Sequence, residues 1–580
     1  MKPRKLKKLL QGLAFGVCIS PCVMSYAAQQ YTLWGKVDNY ASLLKAFSLN
    51  PVSPIPSGLQ LPVNLNTQAN TVHNLQFVSG VVDNAKVSHS RYNQYYHAIP
   101  VWGPQLIYHV SSNKTSVTGS LLKGIEQDIK NLNGKISLDQ AKKIAFGKNN
   151  VKEHFNAEKI IYFNKDISTK AMLAYHVTYA TRTSDGPAIL SYIIDANNGK
   201  IIKQWNALPT ADAQMMVGQG QGGTDLENGQ YKYQFGKMTA GLNALGKFIL
   251  QVQGNSCAMS NPSFRIMNLQ NQPETSLPFQ LPVSAADEAS NQLTPFTYNC
   301  SAPDYQNVND NGYAPINHGL SPVNDTAYFV RITLNMLKQK YKVQQPIGTD
   351  LPIRVYTHLG DFDNAFACGT NCMAGGGITG PQQLVFGNGQ VMFAALTEGD
   401  VVAHEFGHLV TDHHSGLTYI DQSGGLNEAF SDITGMTFDA HMRTDLGFNW
   451  YQNGSDWTIG AEIGLNGKPL RYLYDPTLDG HSIGSALDFQ TGMNPHFSSG
   501  VFNKAFYLLS TTSGWTIDQA YQVMLDANMF YWTSNSTYND GACGVIQAAA
   551  KRGYNSTDVS NAFKGVDVMC SVSLEDMKEV

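Results

Sequence analysis

Two histidines four residues apart, with a glutamate beside the first, constrain this chain more than any other feature. The run is Val401-Val402-Ala403-His404-Glu405-Phe406-Gly407-His408-Leu409-Val410. On a helix, positions i and i+4 share one face, so His404 and His408 can present both imidazoles to one metal ion. Glu405 projects beside them, where it can take a proton from an attacking water. Read alone, the run has a bland alternative: an amphipathic helix with solvated His and Glu. A second run, Gly424-Gly425-Leu426-Asn427-Glu428-Ala429-Phe430-Ser431-Asp432, weighs against it. Glu428 can supply a third protein ligand, and two His plus one Glu leave a fourth position open, the donor set of a catalytic Zn2+. Asp432, at i+4 from Glu428, lies on the same face and can fix the tautomer of a ligating His; Asn427 is a second candidate for that outer layer.

The rest of the chain is organised around this element. Of 580 residues, 40 are Lys or Arg and 44 are Asp or Glu, a formal net charge of −4. The balance is uneven: +5 over residues 1–27, +8 over 28–206 and −17 over 207–580. Separate segments with separate jobs are expected, and the acidic part repels phosphate, which argues against a nucleic-acid partner. Lys2, Arg4, Lys5, Lys7 and Lys8 precede a short apolar stretch and Ser25-Tyr26-Ala27-Ala28, so residues 1–27 read as a cleaved signal peptide, cut after Ala27 or Ala28. No other run suits a membrane anchor. Residues 28–206 hold helical spacing at 136–145 and strand-like runs at 105–110, 159–163, 174–179 and 190–195, an α+β module that reads as a propeptide. Residues 51–70 look like a loop or an extended entry strand, and the module's six histidines read as mostly surface or structural. Six cysteines remain beyond the signal, Cys257, Cys300, Cys368, Cys372, Cys543 and Cys570, an even number in an exported chain. Sequence order suggests pairing as neighbours, though other pairings are open.

The zinc run, the Gly424–Asp432 run, Asp363-Asn364-Ala365-Phe366, Leu470-Arg471-Tyr472, the stretch from His496 to Leu509 and that from Tyr538 to Ile546 resemble the thermolysin family of secreted bacterial zinc metallopeptidases, in its pseudolysin and vibriolysin branch. The resemblance spans about 218–570, and residues 28–206 are similar to the family's propeptide, best at Ile99-Pro100-Val101-Trp102-Gly103. It implies an α+β fold: a β-rich lobe over 207–400, a helical lobe over 401–570, the zinc cleft between them, and a tail at 571–580. It implies a monomeric, exported endopeptidase acting on protein and peptide substrates. Its own propeptide would chaperone, inhibit and be removed by self-cleavage between about 207 and 218. Glu405 would be the general base, and His496 and Tyr419 would donate to the oxyanion. Asn364, Ala365 and Arg471 would hold the substrate main chain. Phe393, Leu396, Val401 and Leu470 would line an apolar pocket favouring cleavage on the amino side of residues such as Leu or Phe. Cys257–Cys300 and Cys543–Cys570 would be the branch's two disulfides.

Three positions depart from that pattern. Asn494 stands where the branch carries an Asp near the catalytic His, so His496 keeps an orienting oxygen but loses a stabilising charge. A Ca2+ site is implied at Asp400, Asp439 and Asp445, but Met436 replaces an expected carboxylate and leaves it incomplete. Ala367 replaces an aromatic residue, ahead of an insertion holding Cys368, Cys372 and Gly375-Gly376-Gly377, expected as a disulfide-clipped rim with altered specificity on the unprimed side. The competing expectation is a secreted binding protein descended from such an enzyme; the intact set His404, Glu405, His408, Glu428 and His496 argues against it.

Overall fold

The computed structural model describes residues 28–36, 49–51, 72–207, 224–225, 230–231 and 251–570, apart from breaks at 84–85, 112–114, 148–154, 165–167, 169, 184–185, 254–255, 292, 300–321, 344, 349–351, 376–379 and 446–456. The signal segment, nearly all of the 51–70 loop, the maturation region beyond 207, Gly376-Gly377 and the 571–580 tail lie outside the described residues.

The N-terminal unit is a ten-stranded sheet: β1 (Gln29–Lys36), β2 (Leu49–Pro51), β3 (His73–Val82), β4 (Ser88–Tyr96), β5 (Ile99–Val110), β6 (Thr115–Lys123), β7 (Phe155–Tyr162), β8 (Met172–Thr183), β9 (Gly186–Asp195) and β10 (Ile201–Asn206). Its main path runs β10-β9-β8-β7-β5-β4-β3-β2, with β6 joining β5 to β1. Pairing is antiparallel except for β2–β3 and a single β5–β7 contact at Val101–Ile161. Helix α1 (Leu138–Phe146) starts at a reciprocal Ser137–Gln140 cap, which satisfies two otherwise orphan backbone donors. It buries Ala141 and Ala145 in a core with Tyr175, Val177 and Tyr192.

The alternation that marks β4 and β5 as strands does not make one of their faces wet. Leu75, Tyr92, Leu106, Tyr108 and Val110 pack on one side. Residues pointing the other way include His89, Arg91, Gln105, Ile107 and His109, and all five are buried too. Register pairs His89 with His109 and Arg91 with Ile107. That second face is covered by the C-terminal part of the chain: His89 stacks on Phe530 at 4.4 Å and His109 on Tyr531 at 5.4 Å. The histidines on this face are structural, one of the two roles expected of the module's histidines. Of the six, His73, His89, His109 and His176 are buried, His97 is exposed, and His154 lies outside the described residues.

The C-terminal part begins with a four-stranded sheet of β11 (Phe264–Pro273), β12 (Ile353–Gly360), β13 (Ala365–Cys368) and β14 (Gln383–Gly387), ordered β11-β12-β14-β13. The first two pairings are parallel and the last antiparallel, leaving β13 as an edge. Helix α2 (Pro322–Asn335) packs on one face; the other face, with Met267, Tyr356, Phe366 and Val385, meets Ala180 and Ile189 of the N-terminal unit. Beyond the sheet the chain is helical: α3 (Gly399–His413), α4 (Asp421–Thr444), α5 (Gly500–Ser510), α6 (Ile517–Asp526) and α7 (Tyr538–Arg552). Helix α3 starts two residues before the expected lobe boundary, and α6 runs into a π-helical turn at Ala527–Tyr531. Helices α3 and α4 cross tightly because Gly407 carries no side chain; a Cβ there would stand 2.8 Å from Ser431 Cα. That close crossing sets His404 and His408 against Glu428.

Candidate active site

Four side chains from α3 and α4 meet in the interior, each at most 2% exposed: His404, Glu405, His408 and Glu428. His404 Nε2 and His408 Nε2 stand 3.1 Å apart. His404 Nε2 is 3.6 Å from Glu428 Oε2, and His408 Nε2 is 3.4 Å from Oε1. Four ligands about 2.0–2.1 Å from a tetrahedral zinc are separated by about 3.4 Å, so these spacings suit that ion. The hydrogen bonds on the far side of each ring make the case stronger. His404 Nδ1 donates to Asp432 Oδ1 at 2.8 Å. His408 Nδ1 donates to Asn427 Oδ1 at 2.8 Å, and Asn427 is oriented by its own donation to Leu417 O at 3.0 Å. Both Nδ1 atoms carry the proton, so in the neutral rings both Nε2 atoms present lone pairs. Two nitrogen lone pairs and a carboxylate thus converge on one buried point, which a divalent cation satisfies and a packed core does not.

The charges at the site divide: burial opposes a proton on His408, but Glu428 outweighs it and raises that ring's affinity for protons, so a cation there competes with a proton. Burial pulls His404 down to about 4, keeping it neutral. Burial opposes the charge on Glu428, but His496, His408 and His404 outweigh it and hold the carboxyl well below its ordinary range. Asp432 is also held down, to about 2: burial works against its charge, and Arg471 and His404 override it. Arg471 grips it as a fork, Nε to Oδ2 at 2.8 Å and Nη2 to Oδ1 at 2.6 Å, while Asn503 Nδ2 donates to Oδ2 at 2.7 Å. Arg471, expected to serve substrate, is therefore tied to the group that orients His404. Asn503 was not foreseen as part of this layer; its place on α5, seven residues after His496, is the one cue the sequence offers.

His496 and Tyr419 approach from the other side. His496 Nε2 lies 3.2 Å from Tyr419 Oη and 3.5 Å from Glu428 Oε1, and Tyr419 donates to Glu428 Oε1. Asn494 Oδ1 accepts both His496 Nδ1–H, at 2.8 Å, and His496 N–H, at 3.0 Å. Asn494 thus caps the short helix Pro495–Ser498 and aims the ring, with no charge of its own. Both Glu405 carboxylate oxygens are buried without a hydrogen-bond partner, and burial pushes the group up to about 8. An orphaned buried carboxylate beside three converging ligand atoms is an arrangement that chemistry, not stability, explains.

Comparison with known proteins agrees. Residues 235–412 match the thermolysin metallopeptidase catalytic domain and 415–568 its alpha-helical domain. Residues 74–121 match the fungalysin/thermolysin propeptide motif, and 135–205 match the peptidase propeptide and YPEB domain. The Neutral protease of Vibrio proteolyticus is 33% identical over 85% of this chain and 72% of its own length. The Hemagglutinin/proteinase of Vibrio cholerae is 32% identical over 94% of this chain and 79% of its own. A Zinc metalloprotease of Helicobacter pylori is 46% identical over 27% of this chain and 58% of its own. The chain belongs to the thermolysin family. Its N-terminal sheet unit is that family's propeptide, and the four-stranded sheet and helices are the peptidase.

Among the remaining expected positions of this thermolysin-family chain, Phe393, Leu396, Val401 and Leu470 fall in one apolar cluster, none more than 8% exposed. Asn364 and Ala365 lie at the start of the edge strand β13, where Asn364 Oδ1 accepts the Ala365 N–H at 2.9 Å. Of the calcium candidates, Asp445 stands apart from the other two. It pairs with Lys340 and, at 2.6 Å, with His441, because the six residues from Asp439 to the end of α4 turn it about a third of the way round the helix. Two acids overlooked in the sequence, Glu398 and Glu462, sit instead with Asp400 and Asp439: these neighbours add to burial in pushing Glu398 well up, and burial pushes Asp400 up to about 7. Cys368–Cys372 and Cys543–Cys570 are bonded. The Cys257 side chain and Cys300 lie outside the described residues. The helix after Cys368, Thr370–Gly375, docks its first turn on Asp412 at the end of α3, which accepts from Asn371 N at 2.9 Å and Cys372 N at 3.1 Å.

Proposed function

We propose that this chain is the precursor of an exported, zinc-dependent endopeptidase that matures by cutting itself beyond Ala207, and that it cleaves on the amino side of bulky apolar residues. The observation that carries the reading is the convergence of two Nε2 lone pairs and Glu428 beside an unpartnered Glu405. His404, His408 and Glu428 would hold the ion; when bound, zinc supplies a Lewis acid that polarises the scissile carbonyl and acidifies water. Glu405, held near neutrality by burial, takes the proton of the attacking water at a carboxylate oxygen and returns it to the leaving amine. A neighbouring dication would lower its affinity for the proton, favouring the base form at neutral pH. Tyr419 donates toward the oxygen that gains charge, and His496 does so through Nε2 as an imidazolium, since its Nδ1–H is held by Asn494. The edge of β13 offers backbone to an extended substrate, and the Phe393–Leu396–Val401–Leu470 cluster supplies the apolar surface next to the site.

The test is casein hydrolysis by the mature protein, with a zinc chelator and with Glu405→Ala. Loss of activity in both is expected, with return on adding zinc to the chelated wild type only; activity surviving both would refute the mechanism. The four acids Glu398, Asp400, Asp439 and Glu462 are proposed as the Ca2+ position, with Glu398 and Glu462 supplying carboxylates that Met436 does not. Calcium should raise the melting temperature, and Glu398→Gln should abolish that rise.

A further inference from the structure

The seam between propeptide and peptidase leaves a cavity of about 440 Å³, open to solvent beside Lys342 and Lys551, whose lining holds more positive than negative groups. Arg91 enters it from β4 of the propeptide, and Lys342, His414 and Lys551 from the peptidase. Arg91 is 5% exposed and bonds through Nη1 only to the neutral Gln105 Oε1, at 3.2 Å. Among the described residues neither Arg91, Lys342 nor Lys551 forms an ion pair. The two acids in the lining are already engaged. Asp526 is gripped by Arg552 at 2.6 and 2.8 Å. Asp83 accepts from Val87 N at 2.8 Å and faces His89 Nε2 at 3.2 Å. His414 Nε2 is buried with no hydrogen-bond partner. Burial alone pulls the Arg91 guanidinium down to about 10, as expected of a cation enclosed without a counter-ion.

A buried arginine is ordinarily paired, and guanidinium is the side chain best suited to a planar or tetrahedral oxyanion. Here the propeptide brings such a group against peptidase cations, across a seam that the overall charge split would lead one to expect to be complementary. We propose that this cavity is a binding site for a small oxyanion, of the phosphate or carboxylate class, held by Arg91 from the propeptide and by Lys551 and Lys342 from the peptidase. The anion bridges the two parts and strengthens their association, because its ligands are brought together only when the propeptide is docked. The site lies on the seam and not in the zinc centre, so it stands whether or not the catalytic reading holds.

The experiment uses the full-length chain carrying Glu405→Gln, which remains one piece whether or not the wild type cuts itself. It is titrated calorimetrically with sodium phosphate and, separately, sodium acetate, at constant ionic strength and a pH above about 7.5, where histidines are neutral. Saturable binding of at least one of them is expected, with a matching rise in melting temperature. The affinity should fall at least tenfold with Arg91→Gln and several-fold with Lys551→Gln, an exposed position whose change leaves the core untouched. Phosphate binding with acetate inert would define a tetrahedral anion; acetate binding would point to a carboxylate, such as that of a peptide. Heats that follow ionic strength without saturating, or binding that neither variant alters, would overturn the proposal.

Discussion

The zinc site and the propeptide seam are both buried and both rich in histidine, yet they hold their histidines by opposite means. At the zinc site, His404 is fixed by a carboxylate that is itself fixed by Arg471 and Asn503, a closed polar network on two crossing helices. At the seam, His89 and His109 face one another, Nδ1 to Nδ1 at 2.7 Å, on neighbouring strands, and are held flat by aromatic rings from across the interface. The first arrangement lies wholly within the peptidase. The second exists only while the propeptide is docked.

The difference can be broken at either end. The largest effect is expected from Asp432→Ala. It leaves Arg471 buried without its partner, a loss of about 3–5 kcal/mol, and weakens zinc binding about 10–100-fold through loss of the His404 tether. Thermal melts and competition with a chelator measure the two losses separately. Phe530→Ala should destabilise the precursor by about 1 kcal/mol more than the mature enzyme, the contribution of its stack with His89. Parallel melts of the two forms give that difference, and an equal loss in both would mean the stack contributes nothing.

Acid should act on the seam in a definite direction. Burial lowers His89, and burial with the neighbouring His89, Arg91 and Lys551 lowers His109 well below its ordinary range. Asp83 and Asp526 face His89 and favour its charge, while Lys551 opposes it. Groups whose folded affinity for protons is lowered give stability that is complete above about pH 6.5 and is lost as pH falls through that value, because the exposed rings then bind protons that the docked rings refuse. Precursor melting temperature should therefore drop below about pH 6.5 more steeply than that of the mature enzyme, and His89→Asn with His109→Asn should flatten the difference. The smallest effect is expected at Asn494→Asp, which keeps the cap but adds a charge beside His496. A shifted limb in the pH–rate profile is the readout; identical profiles would sink the idea.

What the sequence made legible follows the same division. His404 and His408 share one helix face by local periodicity, and Glu428 stood out in its own run, but it is the crossing at Gly407 that joins the two helices. Arg471, Asn503, Glu398 and Glu462 reach their partners across long chain separations, and no local pattern announces that. The seam was hardest to read. Alternation along 105–110 marks a strand but does not say what covers its polar face, and Arg91, Gln105 and His109 are buried against the peptidase. The charge split, +8 against −17, suggested docking by complementary charge. Among the described residues it yields one ion pair across the seam, Lys203 with Asp421, and stacked rings and apolar contacts supply the rest. Salt should accordingly weaken propeptide docking only modestly.

The central claim is that His404, His408 and Glu428 hold one zinc, with Glu405 beside it as a base and not a ligand. Metal content of the purified full-length chain, measured for the wild type, His408→Ala and Glu405→Gln, tests it most directly. The account expects one zinc per chain in the wild type and in Glu405→Gln, and essentially none in His408→Ala. Zinc retained in His408→Ala, or lost from Glu405→Gln, would contradict it.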